Sequence, residues 1–305
     1  MKKFALFLCL TALMLSPTSC GPSGNQDTPE GYVRYCVRYL GAAALYADTP
    51  EWKETKKEIL AEARRIETMD EARQAVRKAA RVAGGKHSTL IAPVKDTTSY
   101  EEAAPETRML EGGIAYLRIP AHTGVKVPDS LYTHSALDFL QGNRDAKGVV
   151  IDLRDNSGGN MYPMIAAVSP LLPDGGVISF KTRRRTSSVS LESIVRRAGL
   201  SRSQTEKFPS STRVAILTNN WTGSSGEATL LCFRGLDNVR TFGSPTAGFA
   251  SANIPVELAD GYKLLITVGC DVARTGEIFC DDPIEPEVNT ATPLEDAVRW
   301  IQSLE

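Results

Sequence analysis

An excess of charge of either sign is the first thing this sequence lacks. Its 35 lysines and arginines face 36 aspartates and glutamates, a formal net charge of −1. So even a balance gives no basis for binding nucleic acid. Cysteines at metal-binding spacing are also missing: there are six cysteines but no C-x-x-C pair, so no structural zinc is expected. The chain has neither a G-x-G-x-x-G turn nor a Gly-Lys-Ser/Thr phosphate loop, which leaves nucleotide binding unsupported. No cofactor is expected. Beyond residue 20 no apolar run is long enough to cross a bilayer, and no internal repeat is visible. Histidine is scarce, with only His87, His122 and His134.

What is present begins with an address. Lys2 and Lys3 precede an apolar run over 4–15, and Ser16-Pro-Thr-Ser-Cys20 follows. This reads as a signal peptide over 1–19: a positive start, a short apolar stretch and small residues before the cut. A cysteine directly after Thr18-Ser19 resembles a bacterial lipoprotein signal, with Cys20 as the lipidated N-terminus. Ordinary secretion with Cys20 left free is the alternative. Residues 20–28 form a polar tether. Removing the leader takes away two lysines and no acids, so the net charge falls from −1 to −3. The expected location is the cell envelope, facing the periplasm or on the surface, with the membrane reached through the lipid.

The mature chain has about 285 residues, enough for one large domain or a small one plus a large one. Residues 29–85 read as an N-terminal helical subdomain, with apolar residues at helical spacing over 32–44, 51–66 and 69–83. Residues 86–305 read as an α/β core. Strands are expected over 113–119, 148–153, 176–180, 214–217 and 239–242, and a hairpin over 254–268 around Asp260-Gly261. Helices are expected over 130–140, 161–172, 225–233 and 294–304. Strand–helix alternation of this kind points to much parallel sheet. Residues 183–211, rich in arginine, serine and threonine, read as an exposed insertion. Cys270 and Cys280 flank a hairpin turning near Thr275-Gly276; an exported protein could bridge them, or they remain two buried thiols.

The most informative stretch is Val214-Ala-Ile-Leu-Thr-Asn-Asn-Trp-Thr-Gly-Ser-Ser-Gly-Glu227. An apolar strand ends in a polar turn that delivers Ser224 to the start of a helix. The free N–H groups and positive dipole end there favour negative charge beside the serine, as a nucleophile requires. Serine is equally a favoured N-cap, so this segment alone leaves both roles open. All three histidines precede Ser224, which excludes the α/β-hydrolase order. The G-x-S-x-G elbow and the Gly-Asp-Ser-Gly-Gly run are absent as well. His87 sits in Gly84-Gly-Lys-His-Ser-Thr-Leu90, a glycine-softened junction that places an imidazole either in a cleft between subdomains or on a surface loop. Lys147-Gly-Val-Val-Ile-Asp-Leu-Arg-Asp-Asn-Ser-Gly-Gly159 is a buried strand ending in a turn whose paired glycines let N–H groups point at a ligand oxygen.

Ile151-Asp-Leu-Arg-Asp-Asn-Ser-Gly-Gly159, Thr222-Gly-Ser-Ser-Gly-Glu227 and Gly243-Ser-Pro-Thr-Ala-Gly248, in this order, resemble the carboxyl-terminal processing (tail-specific) and tricorn-type serine peptidases. Pro283-Ile-Glu-Pro-Glu287 resembles their closing Gly-Ile-x-Pro-Asp segment. The resemblance covers roughly residues 30–290 and implies a ClpP- or crotonase-like α/β core with an N-terminal helical subdomain. It implies Ser224 as nucleophile, with the oxyanion held by the N–H of Ser225 and one from Gly158 or Gly159. Only 91–112 is available for the PDZ domain that many such enzymes carry, too short a stretch, so the PDZ-less branch is indicated. The lysine of the Ser–Lys enzymes is replaced by Phe249. Lys86-His87-Ser88 instead matches the histidine segment of the tricorn-like branch, making His87 the base and Ser88 its orienting neighbour. That branch places a glutamate where this chain has Cys280; Glu277, Asp281 and Asp282 are the acids nearby, with Glu277 the candidate third member.

The function expected is hydrolysis of peptide bonds in peptides or in the tails of unfolded proteins. A catalytically weak peptide-binding homologue and a serine esterase are the alternatives. An ordinary histidine titrates near pH 6.5, so activity is expected to rise through about pH 6–7. Oligomeric state is left open.

Overall fold

The computed structural model describes residues 25–93, 101–201 and 203–303. The leader and Cys20 lie outside these residues.

Three helices open the described chain: α1 (Pro29–Ala43), α2 (Pro50–Glu62) and α3 (Met69–Gly84). Each starts on a threonine whose hydroxyl accepts a first-turn N–H: Thr28 from Gly31, Thr49 from Trp52 and Thr68 from Glu71. The Glu71 side chain reaches back to the Thr68 N–H and completes a capping box. The buried side of α3 carries Ala72, Val76, Ala79, Ala80 and Ala83, small enough to let α1 approach closely. Gly85, at φ 77°, ends α3 in a conformation glycine adopts without strain. Two residues later the chain reaches His87 and strand β1 (Thr89–Ile91).

The first six-stranded sheet contains β2 (Glu106–Leu110), β3 (Ile114–Arg118), β4 (Gly148–Asp152), β7 (Arg213–Thr218), β8 (Val239–Gly243) and β12 (Val288–Asn289). Its spatial order is β12-β8-β7-β4-β3-β2, parallel throughout except for the β2–β3 pair. Alternation along β4 divides the molecule. Val149 and Ile151 join the main core, while Val150 joins a smaller cluster with Ala297 and Ile301 of α8 (Pro293–Gln302). Helices therefore cover both faces, as a parallel sheet requires. The main-core face carries α4 (Asp129–Gly142), α5 (Met161–Ala167) and α7 (Ser225–Leu231).

The second sheet is antiparallel and centred on β10 (Lys263–Val272). One edge of β10 pairs with β1 and β5 (Gly176–Thr182), and β5 pairs in turn with β6 (Thr186–Ser190). The other edge pairs with β9 (Ser251–Glu257) and β11 (Ile278–Phe279). Helices α1 and α3 pack on β10, and α7 touches β5, so α7 lies between the two sheets.

The fold is the expected mixed α/β core behind an N-terminal helical region. Two expectations change in detail, and one pair of alternatives is decided. The insertion read over 183–211 holds β6 and α6 (Leu191–Arg197). The helix read over 161–172 stops at Ala167 and becomes a 3₁₀ turn, Ser169–Leu171, where Pro170 lacks the N–H an α-helix needs. Cys270 and Cys280 are joined, with Cα atoms 4.7 Å apart, across the β10–β11 hairpin.

Candidate active site

The ends of β4 and β7 lie side by side, and the turns that follow them are tied together. Asn219 accepts the N–H of Asp155 at 3.0 Å and returns a bond to its carboxylate at 2.9 Å. Thr222 donates its hydroxyl to the Leu153 carbonyl at 2.8 Å. Fully buried Asn156 gathers three segments: its side-chain N–H meets the Ile119 carbonyl, its Oδ1 accepts the Gly158 N–H, and its own carbonyl accepts the Gly223 N–H.

Ser224 leaves this knot at φ 52° and ψ −117°, a left-handed conformation quite unlike the extended backbone of an ordinary N-cap. Such a residue stores roughly 1–3 kcal/mol of strain. Its N–H is held at 2.9 Å by Oε2 of Glu227. The Glu227 carboxylate is buried and also accepts the Thr246 hydroxyl and the N–H groups of Gly248 (2.8 Å) and Phe249 (2.7 Å). Burial nonetheless pushes its pKa above the usual carboxylate range, the four donors pulling the other way. One carboxylate thus fixes the serine turn to the segment after β8.

Gly158 lies against the serine: a Cβ there would come within 2.8 Å of the Ser224 Cβ and 3.2 Å of the Ser225 nitrogen. Gly159 is pressed on His122, where a Cβ would fall 1.8 Å from the carbonyl oxygen. The Gly158 N–H is committed to Asn156 at 3.0 Å. The Ser225 hydroxyl is committed to the Gly159 carbonyl at 2.6 Å.

His87 arrives from the α3–β1 junction and is 1% exposed. Its Nδ1 lies 2.8 Å from the Ser251 hydroxyl and 2.8 Å from the Asn253 side-chain nitrogen, both on β9. Nε2 is buried and unpartnered among the described residues. The imidazole packs on the Phe249 ring, centroids 5.0 Å apart, and the Lys86 ammonium sits 4.7 Å over the same ring. Phe249 is also the residue whose N–H holds Glu227, and a Cβ on Gly223 would touch its ring at 3.8 Å. His87 and the Ser224 turn are therefore neighbours across Phe249. Burial, reinforced by the Lys86 charge, pulls the imidazole pKa down to about 3. The expected rise through pH 6–7 assumed an ordinary imidazole; with this shift the His87 ring is neutral well below that range.

The remaining candidates are placed as follows. Ser88 does not meet the imidazole; it donates to Thr267 Oγ1 at 3.0 Å and accepts the Thr267 N–H at 2.8 Å. Glu277 is held by Arg234 and Thr275 in an exposed cluster, and the Arg234 bond draws its pKa down to about 2. It is not among the polar partners of His87. Cys280 is locked in the disulfide. Asn156, Glu227, Ser251 and Asn253 were not singled out in the sequence. The Ser-x-x-Glu spacing of a capping box could have marked Glu227, and Asn156 lies inside the Ile151–Gly159 motif; nothing local marks Ser251 or Asn253. Among the described residues no group of histidines, cysteines and carboxylates could hold a metal ion. Two clefts, of about 610 and 320 Å³, lie elsewhere and include neither Ser224 nor His87 in their walls.

Residues 113–290 match the family model described as Peptidase family S41. The chain is 36% identical over 283 residues to a nisin-resistance protein of Lactococcus lactis subsp. lactis, covering 90% of this chain and 88% of that one. Among solved structures, a lipoprotein from Streptococcus agalactiae is similar with a TM-score of 0.81 at 29% identity, over 90% of this chain and 96% of that one. The photosystem II D1 C-terminal processing protease shares the fold with a TM-score of 0.61 at 12% identity, over 89% and 96%.

Proposed function

The chain belongs to peptidase family S41, and on that footing we propose that it is a serine peptidase of the cell envelope, with Ser224 as nucleophile and His87 as base. The observation that carries this reading is the strained φ of 52° at Ser224, held at the head of α7 with its N–H on a buried carboxylate. A cap needs no such strain; a nucleophile on a sharp strand-to-helix turn does. Ser225 is the poorer candidate, because its hydroxyl is already bonded to the Gly159 carbonyl.

Ser224 Oγ attacks the scissile carbonyl while Nε2 of His87 takes its proton, then returns it to the leaving amine. Water hydrolyses the acyl-enzyme by the same relay. The tetrahedral oxyanion is held by the N–H groups of Ser225 and Gly159, since that of Gly158 is spent on Asn156. A lost oxyanion donor costs about 3–4 kcal/mol in comparable sites. No Ser224–His87 hydrogen bond is made in the free protein, and such bonds commonly form only when substrate closes the site.

The relative's name points to the substrate class: a peptide antibiotic such as nisin, met at the membrane. The chain fits that place if Cys20 carries the lipid. The test is mass spectrometry of nisin incubated with the full-length protein. A discrete cleavage made by the wild type and lost in Ser224→Ala supports the reading; intact nisin with both would overturn the substrate assignment. A catalytically weak, peptide-binding member is the second reading, favoured by the depressed basicity of His87. It predicts nisin binding without cleavage.

A further inference from the structure

The base in the foregoing reading needs a specific tautomer. For Nε2 to accept the Ser224 proton, the ring's own proton must sit on Nδ1 and be held there. In many serine hydrolases a carboxylate does this. Among the described residues no carboxylate meets Nδ1: Glu277 is bound to Arg234, and Cys280 is in the disulfide. The polar groups that meet Nδ1 are the Ser251 hydroxyl and the Asn253 amide, each at 2.8 Å.

From these contacts we infer that Asn253, with Ser251 beside it, is the positioning residue that sets the tautomer and orientation of His87. The inference rests on His87 being the base. A side-chain amide presents a donor and an acceptor in nearly the same shape. With Nδ2 turned to the ring, Oδ1 of Asn253 is buried and unpartnered, and Nδ1 of His87 must be the bare nitrogen. The proton would then be on Nε2, and the imidazole could not act as base. Turning the amide by 180° lets Oδ1 accept the Nδ1–H and leaves Nε2 its lone pair, while the amide N–H takes the buried position that Oδ1 leaves.

The strand register supports the assignment. Ser251 and Asn253 are two apart on β9 and so share a face. Asn253 lies opposite Thr267 of β10, and Thr267 is the residue that grips Ser88 from both sides. The imidazole and its holder are therefore anchored at the same rung of the sheet. Among the described residues, Lys86 is the one charged group whose field lowers the basicity of the ring. A neutral amide orients the ring without adding a second buried charge.

The test uses full-length protein in detergent and three variants, read by the rate of fluorophosphonate labelling across pH. Asn253→Leu should slow labelling by about 10²-fold, the usual scale for a misplaced group. Asn253→Asp should restore much of the rate and move its acid limb to higher pH, because a carboxylate makes the imidazole more basic, a shift that a merely structural role would not produce. In the wild type, nitrogen NMR of the three histidines should show His87 with its proton on Nδ1. Wild-type rates in Asn253→Leu, an unmoved acid limb in Asn253→Asp, or a His87 proton on Nε2 would each overturn the inference. His87→Ala run in parallel separates the two claims. If it labels at the wild-type rate, the base assignment itself falls. If it is dead while both Asn253 variants match the wild type, only the role of Asn253 falls.

Discussion

At Glu227 one buried carboxylate accepts the Ser224 N–H, the Thr246 hydroxyl and the Gly248 and Phe249 N–H groups. Glu227→Gln turns one acceptor into a donor that faces another donor. The expected cost is about 1–3 kcal/mol of stability, measured by urea unfolding, with a larger loss of activity because the strained serine is released. His87 makes a second prediction, with a definite sign. Its folded pKa of about 3 lies below the unfolded value near 6.5, so the unfolded chain binds the extra proton first. Stability from the neutral ring is complete above pH 6.5 and is lost as pH falls towards 3. Wild type should lose stability relative to His87→Gln between pH 6.5 and pH 4 in paired urea titrations. A constant difference across that window would contradict the burial of a neutral imidazole.

Among the elements, the turn after β4 is the least tolerant. Gly158 has φ 112°, and an added Cβ would strike the Ser224 Cβ and the turn around it. Gly158→Ala should therefore abolish peptidase activity by distorting the oxyanion turn while far-ultraviolet circular dichroism stays native. The hairpin of β10 and β11 is tied by Cys270–Cys280, with a sequence separation of 10. Closing a loop of that length contributes about 2–3 kcal/mol by chain entropy, so Cys270→Ser with Cys280→Ser should lower the thermal midpoint under oxidising conditions and abolish its sensitivity to reductant. The elements also show what a single sequence can reveal. Strands buried on both faces, such as β4, and helices with threonine caps were legible because their patterns are local. β2 and β6 escaped notice because edge strands here carry Glu106, Arg108 and the Ser187-Ser188 pair instead of an apolar run. The start of β9 escaped for the same reason, since polar Ser251 and Asn253 occupy its first turns inward. Ser224 and His87 carried motif signals. Ser251 and Asn253 did not, because their partner His87 lies 164 and 166 residues away in the chain and only folding makes them neighbours.

On the scale of the whole molecule, the two sheets meet around α7, and the Ser224 turn is carried by a scaffold braced from both sides. The N-terminal helices matter because α3 ends three residues before His87, so unfolding that region would displace His87 as well as the packing. No helix among the described residues is long and apolar enough to cross a membrane. If Cys20 carries the lipid, Cys20→Ser should move the protein from the membrane to the soluble fraction on ultracentrifugation. The central claim is that Ser224 is an activated nucleophile, and it is tested most directly by reacting the full-length protein with a fluorophosphonate probe and mapping the adduct by peptide mass spectrometry. The account predicts one adduct, on Ser224, absent from Ser224→Ala and from His87→Ala. An adduct on Ser225 or elsewhere, or no adduct on a folded protein, would contradict it.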